Sequence, residues 1–303
     1  MSKAHFRSRS YVIRVLANAL HRGRLAIFLG SGVSRELVNK GSARIGLPKW
    51  QELIRRLYAS QRKRVPSGSN YPQQVEDFRN WFIEGGRTLN EFHGLVQQVL
   101  YDGVSLDFSI IRKNATLAGI GALVAHSQRG RASEVFTLNF DDVVERYLRY
   151  YGIVAKPVTK ERFWSESADV LIHHPHGFLP SPGSPFGARS SFLVFDEKSY
   201  LTQHPDGRWD QRMEVAMQAS TCLLIGLGRD DIHLKSLVER SSRKHAFSSA
   251  KDGYWGIVLR ARPTRAEVLD WRQYHVHVQS VSNYQTDLPA FLFDICQVAA
   301  DLP

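Results

Sequence analysis

The sequence predicts an α/β fold in which a doubly wound, mainly parallel sheet carries a helical insertion. Short apolar or β-branched runs recur along the chain, and such runs are typical of strands that are buried on both faces of a parallel sheet. Helical stretches separate most of these runs, and that alternation indicates parallel pairing. One long segment between the first two runs has helical periodicity and no strong strand signal, which predicts the insertion.

The first element is an amphipathic helix, because Val12, Ile13, Leu16 and Leu20 fall on one helical face and Gly23 follows as a stop. We expect a single domain over residues 1–303 with the helical insertion at residues 60–130. The strands are predicted at residues 25–29, 135–138, 170–172, 192–195, 222–225, 254–259 and 276–278.

Composition points to a folded, soluble protein. The chain has 303 residues, of which 43% are hydrophobic, so it can bury a sizeable core. No apolar run reaches the length of a membrane span and no signal-peptide pattern opens the chain, so we expect a cytoplasmic protein without a membrane partner. The two cysteines, Cys222 and Cys296, are too few for a four-cysteine zinc site and are expected to be buried thiols.

The charge balance is strongly basic, with 40 Lys and Arg against 29 Asp and Glu and a formal net charge of +11. Such a surplus attracts polyanions and phosphorylated ligands. Arg62, Lys63 and Arg64, beside a loop rich in Ser and Gly, form the cluster that most favours such a partner. The alternative is an ordinary solvated surface.

The first chemical motif follows the first predicted strand. Gly30, Ser31, Gly32 and Ser34 combine a G-x-G turn with two hydroxyls at a helix start, a pattern that suits a bound phosphate. Arg35 replaces the third glycine of a dehydrogenase fingerprint and no P-loop occurs, so hydride transfer and nucleoside triphosphate hydrolysis are disfavoured. A tight strand-to-helix turn without a ligand is the alternative.

Polar residues end the second predicted strand. Thr137, Asn139 and Asp141 follow an apolar run, and the carboxyl ends of parallel strands line the ligand crevice of such sheets. Asn139 and Asp141 would share a face if the strand continued. Either of them could instead cap the helix that follows.

Three histidines end the third run, at positions 173, 174 and 176. Because the pKa of imidazole lies near neutrality, a histidine here would suit a base that takes a proton from a sugar hydroxyl. Metal binding competes with that interpretation, but no cysteine lies nearby and no H-E-x-x-H helix is present.

The fourth motif follows residues 222–225 and contains Gly226, Gly228 and Asp231. It could hold the far half of a dinucleotide. A glycine turn with Asp231 as the helix cap is the alternative.

Taken in order, these motifs resemble the Sir2-like family, whose members bind NAD+ and cut its nicotinamide–ribose bond. The stretch from Gly30 to Ser34 is similar to the G-A-G-x-S loop of that family. Further similarities lie in Gly46-Leu47-Pro48-Lys49-Trp50 (G-I-P-D-F), Thr137 to Asp141 (T-x-N-x-D), the pair His176-Gly177 (H-G), and the later segments from Leu193 to Tyr200 and from Gly226 to His233. The resemblance spans about residues 25–293 and implies a Rossmann-like sheet.

The sequence also departs from that family. The protein deacylases of the family carry four zinc cysteines after the H-G pair, and with two cysteines in all this chain is expected to lack the zinc ribbon. Lys49 and Gln51 replace the acid and the arginine expected around the G-I-P-D-F-R position. What the resemblance then implies is the zinc-less bacterial branch, whose NAD hydrolases deplete cellular NAD+ in abortive infection, an anti-phage defence.

The resemblance implies an NAD+ glycohydrolase that uses NAD+ as substrate and needs no metal. Asn139 would orient the nicotinamide ribose and a water, Asp141 would accept from the nicotinamide carboxamide, and His176 would act as general base. The remaining residues implied to bind NAD+ are Gly30, Ser31, Gly32, Ser34, Trp50, Thr137, Gly226, Gly228 and Asp231.

Because a freely active NADase would poison its host, we expect a homo-oligomer or an activating partner such as an Argonaute-type or helicase-type ATPase, through which nucleic acid could also bind. Two alternatives stay open. The protein could be a regulatory subunit that binds NAD+ or ADP-ribose without cutting it, or a nucleic-acid-associated subunit that works beside such a partner.

Overall fold

The computed structural model describes residue 6 and residues 8–36, 46–68, 70–125, 130–132, 134–159, 167–203, 207–228, 232–246 and 253–303.

Helices and strands largely alternate along the described chain, with one long run of helices after the first strand. The strands are β1 (Leu25–Leu29), β2 (Glu134–Thr137), β3 (Ala155–Val158), β4 (Val170–His173), β5 (Thr221–Ile225), β6 (Gly256–Ala261) and β7 (Val276–Val281). The helices are α1 (Arg9–His21), α2 (Trp50–Ser60), α3 (Tyr71–Glu84), α4 (Leu89–Tyr101), α5 (Phe108–Ile111), α6 (Ala115–Val124), α7 (Val143–Tyr150), α8 (Glu197–Gln203), α9 (Arg208–Ala219), α10 (Ile232–Ala246), α11 (Arg265–Gln273) and α12 (Asp287–Ala300).

The strands form one parallel sheet in the order β3-β4-β2-β1-β5-β6-β7. On one side of β1 lie β2, β4 and then β3 at the edge, so the chain reaches the edge before it returns to β4; on the other side β5, β6 and β7 follow in chain order. This arrangement confirms the predicted doubly wound sheet. The direction of winding reverses between β1 and β5, and in open α/β sheets the ligand crevice lies at the carboxyl ends of the strands at such a point.

Two hydrophobic cores cover the two faces of the sheet. In β1 all residues are buried, and they alternate between the cores. Leu25, Ile27 and Leu29 join the core that contains residues of α1, α6 and α12, whereas Ala26 and Phe28 join the core formed with α9 and α10. Burial on both faces explains why this strand is continuously apolar.

The helical insertion lies between β1 and β2. It consists of α2 to α6, and α2 begins at Trp50, ahead of the predicted boundary at residue 60. Throughout the described part of the chain, every helix is too short or too polar to serve as a membrane span.

One strand prediction was wrong, and one strand was not predicted. Residues 192–195 form no strand, because this segment lies across the end of the sheet, where the amide of Val194 donates to the carbonyl of His176 at 2.8 Å. The sequence also gave no signal for β3, which contains Lys156 and Pro157. A proline is tolerated there because β3 is an edge strand and pairs with β4 alone.

Candidate functional site

Two glycine loops meet where β1 and β5 end. The amide of Gly30 donates to the carbonyl of Ile225 at 2.9 Å, and the amide of Gly32 donates to the carbonyl of Gly226 at 3.0 Å. The first and the fourth sequence motifs are thus joined by main-chain contacts at the reversal point of the sheet.

Side chains would prevent this contact. A Cβ atom on Gly30 would lie 2.6 Å from the oxygen of Gly226, and one on Gly32 would lie 2.7 Å from the Cα of Gly226. Gly226 also has φ +69°, in the left-handed region that favours glycine. The glycines of this motif pair are therefore explained by the close approach of two loops.

Most main-chain amides of the first loop already donate hydrogen bonds within the protein. Those of Gly30 and Gly32 donate to β5 and the loop after it, and that of Val33 donates to the carbonyl of Gly30 at 3.1 Å. Ser31 lies exposed at the tip of the loop. The structure therefore leaves Ser31 as the candidate of this loop for direct contact with a phosphate.

Ser34 joins two of the predicted catalytic residues. Its hydroxyl donates to Oδ1 of Asp141 at 2.9 Å and accepts from Nδ2 of Asn139 at 3.3 Å. All three side chains are buried. Although β2 ends at Thr137, the crevice therefore brings Asn139 and Asp141 to one hydroxyl group, and Ser34 uses both its donor and its acceptor capacity.

Burial controls the ionisation of Asp141. Desolvation raises its pKa from 3.8 to about 7, with Asp142 and Glu145 adding to the rise, although hydrogen bonds from Ser34 and the amide of Val143 act in the opposite direction. Burial therefore favours the protonated form of this carboxyl group far more than in water. A shifted carboxyl group in a crevice is typical of functional sites.

The helix cap of α7 is Asp142, which makes no side-chain cap bond, and Asp141 lies one residue before it. Oδ1 of Asp141 accepts from the amide of Val143, the first residue of α7, at 3.2 Å. Asp141 thus helps to begin α7 and also belongs to the polar group of the crevice.

The third motif forms a tight turn after β4. The amide of Gly177 donates to the carbonyl of His174 at 3.0 Å, which closes a four-residue turn with Pro175 and His176 at its centre. Gly177 has φ +98°, and a Cβ atom there would lie 2.4 Å from the oxygen of Phe192. The ring of His176 is buried, with its centre 5.8 Å from that of Tyr200.

The three histidines occupy different environments. His173 packs between Phe136 and Trp209, and burial together with nearby Arg212 lowers its pKa to about 3. His174 is fully buried and contacts Glu145. Among the residues that the structure describes, no three potential ligands gather as a metal site would require.

The remaining predicted contacts are dispersed around the crevice. The hydroxyl of Thr137 accepts from the amide of Asn139 at 3.2 Å, and the ring of Trp50 lies 4.8 Å from that of Phe195. Gly228 lines a small cavity beside α10 and α11. Asp231 lies outside the described residues.

Sequence reasoning missed a second layer of polar residues. Buried Tyr101 of α4 donates to the carbonyl of Leu179 at 2.7 Å, and its oxygen lies 3.1 Å from Oδ1 of Asp142. Asn114, at the start of α6, donates to the carbonyl of Val33 at 3.3 Å. These residues lie in the insertion, far in sequence from the motifs, and no local pattern marks them.

The Gly46 segment contacts the first loop. The amide of Leu47 donates to the carbonyl of Ser34 at 3.2 Å. Gly46 has φ +81°, and a Cβ atom there would overlap the carbonyl of Arg35.

Comparison with known proteins adds a relationship over part of the chain. A family model described as SIR2-like domain matches residues 133–278, which contain the motifs of β2, β4 and β5 but not the Gly30 loop. A solved structure described as "Structural Basis for the Mechanism and Regulation of Sir2 Enzymes" aligns with 14% identity over 95% of this chain and 97% of that chain, with a TM-score of 0.47. The curated proteins searched gave no match. The family match therefore covers just under half of the chain, in the segment that contains Asn139, Asp141 and His176.

Proposed function

We propose that this protein is an NAD+ hydrolase that cleaves the nicotinamide–ribose bond and releases nicotinamide and ADP-ribose. The observation that carries the proposal is the buried group of Ser34, Asn139 and Asp141 at the reversal point of a doubly wound sheet. The SIR2-like match over the segment that contains Asn139, Asp141 and His176 supports it.

In this proposal, the crevice orients the nicotinamide ribose. The Asn139 side chain positions the ribose and the attacking water. Asp141, with a pKa of about 7, accepts a hydrogen bond from the carboxamide when ionised and donates one when protonated. The Gly30 and Gly226 loops, with Ser31 at the tip, face the pyrophosphate.

The chemistry is a substitution at the anomeric carbon. The bond from that carbon to the pyridinium nitrogen breaks, nicotinamide leaves as a neutral base, and the ribose gains oxocarbenium character. Water adds its oxygen to the anomeric carbon and loses a proton to His176. Orientation in a dry crevice supplies most of the acceleration, and proton transfer contributes about 10²- to 10⁴-fold.

We further propose that the activity is restrained in the cell and serves anti-phage defence by depleting NAD+. Uncontrolled hydrolysis would remove NAD+ from the host, so a switch is required. A homo-oligomer or an activating partner of the Argonaute or helicase type would supply it, and the basic surface of the chain (net charge +11) suits a partner that carries nucleic acid.

The experiment is incubation of the purified protein with NAD+, alone and with lysate from infected cells, followed by chromatography of the products. We expect nicotinamide and ADP-ribose in equal amounts. Asn139→Ala and His176→Ala should each lower nicotinamide release about 100-fold or more while the protein stays folded. Parent-level turnover by His176→Ala would exclude the assigned base.

A role in binding without cleavage is tested in the same samples by calorimetry. Binding of NAD+ without any nicotinamide release, in either condition, would replace the hydrolase with a sensor of NAD+ or ADP-ribose. Absence of both binding and release would exclude both functions.

A further inference from the structure

His174 and Glu145 form a buried pair beside the main chain of Asn139. Nε2 of His174 lies 2.6 Å from Oε1 of Glu145, and both side chains are essentially inaccessible to solvent. The sequence motif does not distinguish His174 from the histidines at positions 173 and 176, and no local pattern marks Glu145.

The other ring nitrogen determines the tautomer. Nδ1 of His174 lies 3.1 Å from the main-chain oxygen of Asn139. A carbonyl oxygen can only accept, so Nδ1 carries a proton and donates it. The contact between Nε2 and Glu145 then holds one further proton, either as imidazolium with carboxylate or as imidazole with carboxylic acid.

His174 also fixes the turn that carries His176. Its amide donates to the carbonyl of Val158 at 2.9 Å, which anchors it to β3, and its carbonyl accepts from Gly177 to close the turn. One residue therefore connects the main chain of Asn139, through its ring, to the turn of His176, through its backbone.

Glu145 ties this arrangement to the helix that follows β2. It lies in the first turn of α7, the helix that Asp141 helps to begin. The segment from Asn139 to Glu145 is thus held at both ends. At its first residue, the ring of His174 contacts the carbonyl of Asn139, and at its last residue, Glu145 is part of α7.

We propose that Glu145 and His174 are positioning residues that set the orientation of Asn139 and the placement of His176 in the crevice. The pair acts through the peptide group of Asn139 and touches no reacting atom. This inference rests on the proposed NAD+ hydrolysis for its kinetic readout, although the geometry it describes is independent of that function.

The first test compares two substitutions at Glu145. Glu145→Gln keeps a donor toward Nε2 of a neutral imidazole, so Nδ1 still donates to Asn139, and we expect kcat within a few-fold of the parent. Glu145→Leu removes the partner of Nε2, and we expect kcat to fall about 100-fold with the KM for NAD+ little changed, because misplacement by about 1 Å costs this much. Arg149→Ala, exposed on the same helix, is the control.

The second test separates positioning from folding. A buried pair can often be replaced by apolar residues without loss of stability, whereas breaking one partner destabilises the fold. We expect the double variant Glu145→Leu/His174→Phe to recover the unfolding midpoint lost in Glu145→Leu but to keep the low kcat. Recovery of kcat together with the midpoint would reduce the pair to a structural role and overturn the proposal.

A readout without activity separates this proposal from the hydrolase itself. In ¹⁵N spectra of protein labelled at both histidine and asparagine, Nδ1 of His174 should be protonated in the parent and in Glu145→Gln. The side-chain amide signal of Asn139 should shift in Glu145→Leu and stay in place in Glu145→Gln. If the parent releases no nicotinamide but these signals behave as stated, the proposed hydrolase is wrong and the positioning role of His174 and Glu145 is supported. An unprotonated Nδ1 in the parent, or an Asn139 amide signal that does not shift in Glu145→Leu, would overturn the positioning role.

Discussion

At the scale of single residues, Ser34 connects the two strand ends that form the crevice. Its hydroxyl donates to Asp141 and accepts from Asn139, and it is buried at 1% exposure. Sequence reasoning gave Ser34 a role in phosphate binding. The structure shows that its hydroxyl already contacts the two polar residues that follow β2, and we propose that Ser34 acts by aligning those side chains.

Ser34→Ala tests this alignment. The change removes the acceptor of the Asn139 amide and leaves Asp141 with the amide of Val143 as its donor, and we expect kcat for NAD+ hydrolysis to fall about 10- to 100-fold. The measurement is steady-state nicotinamide release. Ser241→Ala is the matched control, because Ser241 is equally buried in α10 and donates only to the sulfur of Met217. An equal loss in both variants would remove the assigned role of Ser34.

Asp141 makes stability depend on pH. The unfolded carboxyl group ionises near 3.8 and the folded one near 7, so the folded state holds a proton that the unfolded state releases over that window. The stability that this carboxyl group contributes is fully present below about pH 3.8 and is lost as pH rises through about 7. Each unit of pKa difference corresponds to about 1.4 kcal/mol, so the whole effect is on the order of a few kcal/mol.

Asp141→Asn should remove the pH-dependent loss of stability. The amide oxygen of asparagine can still accept hydrogen bonds from Ser34 and Val143, and the side chain carries no charge. We expect its advantage in unfolding free energy over the parent to grow between about pH 4 and about pH 8. Denaturant unfolding at several pH values measures it, with Asp301→Asn, an exposed site beyond α12, as the control. A difference that is constant with pH would contradict the raised pKa.

At the scale of elements, the crevice depends on contacts between loops that only glycine permits. Gly226 has φ +69°, and a Cβ atom there would lie 2.8 Å from the nitrogen of Val33. Gly183 has almost the same conformation, φ +68°, but has open space where its Cβ atom would lie. A comparison of Gly226 with Gly183 therefore separates the free-energy cost of the left-handed conformation from the cost of disturbing the contact between the loops.

We expect Gly183→Ala to lower the unfolding free energy by about 1 kcal/mol, from the left-handed conformation alone. Gly226→Ala should cost about 1–3 kcal/mol more, because the backbone of the Gly30 loop must move. Thermal or denaturant unfolding of both variants provides the comparison. Equal losses would show that the two loops do not constrain each other.

At the scale of the whole molecule, the sequence predicted the architecture through its strongest local patterns. The apolar run of β1 and the alternation of strands with helices identified the parallel sheet. Local patterns could not distinguish the extended segment 192–195 from a strand, because pairing depends on which backbone lies alongside. They also missed β3, since Lys156 and Pro157 suit only an edge position.

For the candidate site, too, the sequence predicted only the motifs that local patterns mark. Motifs at strand ends converge because the fold brings parallel strand ends together, so Asn139, Asp141 and the Gly30 loop could be found from the sequence. The residues that pack against these motifs and hold them in place could not be found from the sequence. Tyr101, Asn114 and Glu145 come from helices whose packing against the crevice is a tertiary property, and no spacing in the sequence encodes it.

The proposed hydrolase is tested by measuring NAD+ binding and nicotinamide release together in the parent and in Asn139→Ala. We expect the parent to bind NAD+ and, under its activating condition, to release nicotinamide and ADP-ribose in equal amounts, whereas Asn139→Ala should still bind NAD+ and release about 100-fold less nicotinamide. Equal release by both proteins would contradict the assignment of this crevice as the catalytic site.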